Sequence, residues 1–182
     1  AKKILDFVTE NNLWIVADCR SMCRFIDHDR VISSNQFCED SAQVVDGVIY
    51  FGGRFINEAV FDRLSEQCQI IHCYIQHLPI NPARCSYHLL SCSVSQLIDQ
   101  LQRYDCRSNM LLKKTITAPL IPDFWSQTAA LACILSHMTA SVRCFVSNSS
   151  LIRSLDRLDG VYFQQPYLFY TNRGASGIDG LI

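Results

Sequence analysis

The sequence predicts an α/β protein, a Rossmann-like parallel sheet with flanking helices followed by the start of a second α/β domain. Three observations carry this expectation. Short apolar runs alternate along the chain with stretches whose apolar residues recur at helical spacing. Gly and Pro punctuate the junctions between them. The composition, 49% hydrophobic and 18% charged over 182 residues, is sufficient for a packed core and excludes a globally disordered chain.

The elements follow in order. Ile4, Leu5, Phe7 and Val8 make the apolar face of a first helix that ends near Asn11 and Asn12. Residues 13–16 read as a short strand, and 19–45 as irregular apart from a small strand at Val31 and Ile32. Residues 48–51 form a strand, Gly52 and Gly53 a turn, and Ala59, Val60, Phe61 and Leu64 the helix after it. Residues 70–75 and 87–90 are two more strands, separated by the breakers Pro79 and Pro82. Val94, Leu97, Ile98 and Leu101 follow i, i+3, i+4, i+7, a strong helix pattern. From 107 to 122 the pattern breaks, with Pro119 and Pro122 stiffening a linker. A second series then begins: a helix over 124–135, a strand over 142–146, a turn at 147–149, a helix carrying Leu151, Ile152, Leu155 and Leu158, and a strand over 167–170. The chain opens on a helix and stops as another should begin, so it is expected to be a piece cut from a larger protein.

Several function classes are disfavoured. Sixteen Lys and Arg balance 17 Asp and Glu, a net charge of -1 with no basic run, so nucleic acid is not an expected partner. The longest apolar stretch falls far short of the roughly 20 residues that span a bilayer, and Asp6 and Glu10 interrupt any secretory core. The ten cysteines are scattered, without a Cys-x-x-Cys, and read as reduced, mostly buried thiols of a cytoplasmic protein. Cys19, Cys23 and His28 make at most half a zinc site. His72, His77 and His88 have no acid or nucleophile in a useful spacing and read as structural. Gly52 and Gly53 lack the spacing of a dinucleotide loop and read as a tight turn.

The segment 172–180 carries the clearest chemistry. It leaves the carboxyl end of a predicted strand, the edge at which open parallel sheets bind ligands. Gly174 and Gly177 allow close approach to the backbone, Ser176 can cap the next helix, and Arg173 offers a fork suited to carboxylate or phosphate. These residues point to a loop for an anionic ligand; a Gly-rich turn with one surface Arg is the plainer alternative.

As written, Asn172-Arg173-Gly174-Ala175-Ser176-Gly177-Ile178-Asp179-Gly180 resembles the signature of the 2-succinyl-5-enolpyruvyl-6-hydroxy-3-cyclohexene-1-carboxylate synthase family. Upstream, Phe145-Val146-Ser147-Asn148-Ser149-Ser150-Leu151-Ile152-Arg153 resembles that family's strand, Gly-Asn-Ser turn and Arg-bearing helix, with Ser147 in place of the Gly. Where the family carries a basic pair in its central domain, this chain has Asn57-Glu58-Ala59.

The resemblance implies a thiamine diphosphate enzyme of menaquinone biosynthesis that decarboxylates 2-oxoglutarate and adds the resulting unit to isochorismate. It implies Mg2+ or Mn2+, held by a motif beyond Ile182, and a homodimer or homotetramer. Residues 1–106 would belong to the central Rossmann-like domain and 123–182 to the diphosphate-binding domain. Ser149, Arg153 and Arg173 would bind substrate; Asn148 and Ser149 would lie at the cofactor, and Ile178 would prop it. No residue of the chain is assigned to catalysis or to a metal, and the chain alone is expected to be inactive. A non-catalytic Rossmann-like binding module, or another thiamine diphosphate enzyme sharing the loop, remain as alternatives.

Overall fold

The computed structural model describes residues 2–39, 45–53, 55–74, 85–108, 126–139, 142–147, 150–158 and 167–171. The chain divides into two compact units, Ala1–Trp14 with Cys38–Lys113, and Ile15–Phe37 with Lys114–Ile182. Every strand pairing among the described residues is parallel, and helices accompany the strands, as the alternating sequence pattern predicts.

In the first unit, strands β3 (Gly47–Phe51), β4 (Gln69–Tyr74) and β5 (Ser86–Ser91) form a sheet in that order. The central strand buries Ile70, His72 and Cys73, whereas β5 leaves Leu89 and Leu90 exposed. Tyr50, Phe61, Cys68 and Ile70 form the buried core, with Val48, Phe55, Leu64, Cys85 and Tyr87 packed against it. The turn after β3 requires glycine at Gly52, whose φ is +91°. That turn is pinned from inside. The Gly52 carbonyl accepts from His72 Nε2 at 2.7 Å, and the Gly53 carbonyl accepts from the Tyr50 hydroxyl.

Two amphipathic helices complete this unit. α1 (Lys2–Glu10) buries Phe7 and Val8, and α4 (Val94–Leu101) buries Leu97 and Ile98, the i and i+1 centre of its apolar stripe. The helices pack on each other, and Lys3 on α1 donates to Ser95 Oγ at 2.9 Å and pairs with Asp99. α4 starts with a reciprocal cap: Gln96 N donates to Ser93 Oγ at 3.2 Å, and Ser93 N to Gln96 Oε1 at 2.9 Å. A single turn, α3 (Ala59–Asp62), follows β3.

The second unit pairs β1 (Ile15–Ala17) with β2 (Val31–Ser33), and β6 (Arg143–Phe145) with β7 (Leu168–Tyr170). A 3-10 turn at Met22–Phe25 lies between β1 and β2, with Ser21 accepting from Cys23 N at its start. Helices α2 (Ser34–Glu39), α5 (Gln127–His137) and α6 (Ser150–Arg157) accompany the strands. Tyr167, at the entrance to β7, donates to the Leu135 carbonyl at the end of α5 at 3.1 Å, a second bond to an acceptor that also takes the Met138 N–H at 3.2 Å.

Two features of the stretch 19–45 differ from the expected irregular path. The 3-10 turn and α2 are ordered there, and both are too short for apolar periodicity to reveal them. Moreover, Ile15–Phe37 clusters with the later residues of the chain rather than with the elements that flank it in sequence.

Removing the α4 cap tests how far this local device stabilises the first unit. Ser93→Ala is expected to lower the unfolding free energy by about 1 kcal/mol, read as a lower urea midpoint with an unchanged slope.

Candidate functional site at the tips of β6 and β7

The register of β6 and β7 decides where the two sequence motifs emerge. Arg143, Cys144 and Phe145 pair with Leu168, Phe169 and Tyr170, and Val146 N continues the ladder to the Tyr170 carbonyl at 2.8 Å. Both strands run the same way and end at the same rung. The segment that starts at Ser147 and the one that starts after Thr171 therefore leave neighbouring positions on one sheet edge, their carboxyl tips.

Of the residues expected to bind ligand, Arg153 is described. Asn148, Ser149, Arg173 and Ile178 lie outside the described residues. Arg153 stands on α6, immediately after the β6 tip. Ile152, Leu155, Asp156 and Leu158 are buried, whereas Ser150, Arg153 and Arg157 are exposed along one stripe at i, i+3 and i+7. The Arg153 guanidinium makes no ion pair among the described residues. Thr171 closes β7, and its Oγ1 is buried without a hydrogen-bond partner among the described residues.

The orientation of α6 comes from the contacts of its first turn and of its buried face. Gln127 on α5 accepts from Ser154 Oγ at 3.0 Å and donates to Ser150 Oγ at 3.3 Å. Asp156 is 2% exposed, and its two carboxylate oxygens accept from Cys19 N at 2.8 Å and from Ser34 Oγ at 2.7 Å. Arg24 Nη2, also buried, donates to the Leu158 carbonyl at 2.6 Å, just past the helix end. Asp18 pairs with Arg20 at 2.6 Å nearby. Phe25 packs edge-on against Tyr167 at 6.2 Å and lies 5.9 Å from Phe169, so the 3-10 turn also touches β7.

Burial holds the Asp156 carboxyl above the usual carboxylate range. The Ser34 hydrogen bond opposes this, the neighbouring Asp18 adds to it, and the Cys19 amide and Arg24 oppose it more weakly. Cys19, fully buried beside it, is pushed far above the ordinary thiol range by burial and then by the two carboxylates, so its sulfur is held as an inert thiol.

Sequence reasoning missed Asp156. The available signal was an acid at a core position of the apolar face formed by Ile152 and Leu155. The histidines behave differently from one another. His72 is buried between Tyr50, Tyr74 and Tyr87, with its Nδ1 bonded to the Tyr87 hydroxyl. The Gly52 carbonyl can only accept, which places a proton on Nε2. His88 is exposed beside Ser86, and His77 lies outside the described residues. No cluster of three metal-binding side chains occurs among the described residues, and no described helix is long and apolar enough to cross a membrane.

Parallel strands that end at one rung, each unit with its helices alongside, define an α/β protein. Its relatives name the kind more closely: the chain resembles the 2-succinyl-5-enolpyruvyl-6-hydroxy-3-cyclohexene-1-carboxylate synthases, as the two motifs indicate. It is 27% identical over 205 aligned residues to the synthase of that name from Psychromonas ingrahamii, a match that covers the whole chain and 34% of the relative. The Enterococcus faecalis synthase is 35% identical over 77 residues, covering 40% of this chain and 13% of the relative. A Shewanella synthase is 28% identical over 154 residues, covering 77% and 26%. The chain thus spans about a third, or less, of the length of the curated relatives it matches. No protein-family model matches it.

Asp156→Ala would leave the Cys19 N–H and the Ser34 hydroxyl buried without their acceptor. It is expected to destabilise the chain by about 1–3 kcal/mol in urea unfolding. The pH dependence has a defined sign. Because the folded-state pKa is raised, the folded chain keeps this proton to higher pH than the unfolded chain does. The contribution of Asp156 is therefore greatest below the ordinary carboxylate range and declines as pH rises through the raised value. Asp156→Asn should remove that decline; an unchanged pH slope would assign it to other groups.

Proposed function

We propose that this chain is part of a thiamine diphosphate-dependent synthase of menaquinone biosynthesis, which decarboxylates 2-oxoglutarate and joins the remaining unit to isochorismate. The observation that carries the reading is the end-to-end similarity to a synthase of that name, which includes both motifs at the β6 and β7 tips. The residues available at that edge suit the ligands. Thr171 Oγ1 is a buried hydroxyl with no hydrogen-bond partner among the described residues, beside the segment that holds Arg173 and Ile178. An exposed Arg153 stands on α6, the helix that follows β6 in the chain.

In this reading Arg153 and Arg173, with Ser149, bind the carboxylates of the substrates. A guanidinium can grip a carboxylate through two parallel hydrogen bonds, which orients as well as attracts it. Asn148 and Ser149 lie against the cofactor, and Ile178 supports it from its apolar side. Thiamine diphosphate, when bound, supplies the electron sink that decarboxylation of a 2-oxo acid requires. The contribution of this chain is positional: it holds charges and an apolar support where the reacting groups must meet. Residues 1–106 would form part of the central domain, 107–122 a linker, and 123–182 the beginning of the diphosphate-binding domain. The whole enzyme would use Mg2+ or Mn2+ through residues not assigned in this chain, and would work in the cytoplasm as a homodimer or homotetramer. The chain on its own is read as inactive.

The test is steady-state turnover of 2-oxoglutarate with isochorismate by the full-length protein that contains this chain. Arg153→Ala should lower kcat/KM for 2-oxoglutarate by about tenfold to a hundredfold, the value of one hydrogen-bonded charge pair, and Arg153→Lys should lose less. Failure of the full-length protein to consume 2-oxoglutarate would overturn the function. An unchanged kcat/KM in Arg153→Ala would overturn the role of that residue alone.

A further inference from the structure

The first unit holds an arrangement that the proposed synthase activity does not use. Two pairs of cysteines bracket β4 and β5. Cys68 and Cys85 stand immediately before the strands, and Cys85 packs against the core cluster that holds Cys68. Cys73 lies within β4, where burial and then the nearby Cys92, just after β5, push its thiol up.

We infer that Cys68 and Cys85 are a redox-sensitive thiol pair that closes to a disulfide when the chain meets hydrogen peroxide, tying the heads of β4 and β5 together.

Register separates the two pairs. Gln69 pairs with Ser86, so the residues before them, Cys68 and Cys85, occupy equivalent positions on neighbouring parallel strands. Neighbouring strands lie about 4.8 Å apart, inside the range of about 4.4–6.8 Å between Cα atoms that a disulfide spans. Both side chains lie in the same core, against Tyr50, Phe61 and Ile70. Cys73, by contrast, pairs with Leu90, which places Cys92 two residues further along. Cys92 has left β5, which ends at Ser91, so no rung of the ladder holds it level with Cys73. The second pair is in contact but out of step.

Exposure divides the labour within the first pair. Cys68 is fully buried, and burial together with the nearby Cys85 pushes its thiol up to about 11. Cys85 is half-buried and is the sulfur that an oxidant can reach. Attack of the Cys85 sulfur on peroxide breaks the O–O bond, forming a sulfenic acid and releasing one water. The Cys68 sulfur then attacks the Cys85 sulfur. The S–O bond breaks, and the departing hydroxide takes the Cys68 proton as a second water. One peroxide is reduced to two waters, and two thiols are oxidised to one disulfide.

The experiment treats the full chain with hydrogen peroxide, alkylates the remaining thiols, and maps peptides by mass spectrometry without reductant. A Cys68–Cys85 linked peptide is expected as the main bridge, reversed by dithiothreitol. It should persist in Cys92→Ser and vanish in Cys85→Ser. The same treatment in urea should scatter the partners of Cys68 over the other cysteines. A native map that matches the urea map would overturn the inference. So would a dominant bridge between other cysteines, or irreversible oxidation of Cys85 with Cys68 left free. The wild-type map alone decides these outcomes, whether or not the serine variants fold.

Discussion

A carboxylate in a protein interior must find donors, because removal from water without them costs several kcal/mol in order of magnitude. Asp156 meets that requirement with a backbone N–H from Cys19 and a hydroxyl from Ser34. Neither donor is near it in sequence, so the requirement acts as a long-range instruction. α6 must dock where the β1 and β2 segment can reach its last turn. Rotation of the helix by even one residue would turn the carboxylate away from both donors. The same docking turns Ser150, Arg153 and Arg157 outward along the opposite stripe. The direction in which the helix presents its arginines is thus set by a buried acid.

The first unit solves its internal polarity in another way. Its buried His72 carries a ring proton directed to the Gly52 carbonyl, and the Tyr87 hydroxyl occupies the other nitrogen. Three tyrosine rings surround it. This arrangement ties a left-handed glycine turn to the buried ring beneath it. One unit is organised by a carboxylate and the other by an aromatic box around an imidazole.

Much of the element order was legible in the sequence because it is a local property. The spacing of Val94, Leu97, Ile98 and Leu101 and the apolar run at 70–74 mark α4 and β4 with little ambiguity. α2 was not legible from periodicity, since six residues do not complete two turns. Its one local sign was the pair Ser33 and Gln36, whose side chains each bond the other's backbone N–H at 3.1 Å. The grouping of Ile15–Phe37 with the later chain was not legible either. It depends on which donors reach Asp156 and which rings meet Phe25, and no window of sequence contains both partners. Of the candidate site, the strand tips and Arg153 were placed by motif and pattern. Asp156 was hidden because a charged letter on an amphipathic helix reads as a solvated one.

The ladder joining β6 and β7 has three paired rungs and one further backbone bond. Side chains on a strand alternate between faces, so a slip of one residue reverses every face at once. With so few rungs, nothing within the ladder would distribute such an error. The two strands should therefore accept substitutions far more readily than insertions or deletions. Redesign in this part of the protein should accordingly leave the spacing before Val146 and Thr171 untouched.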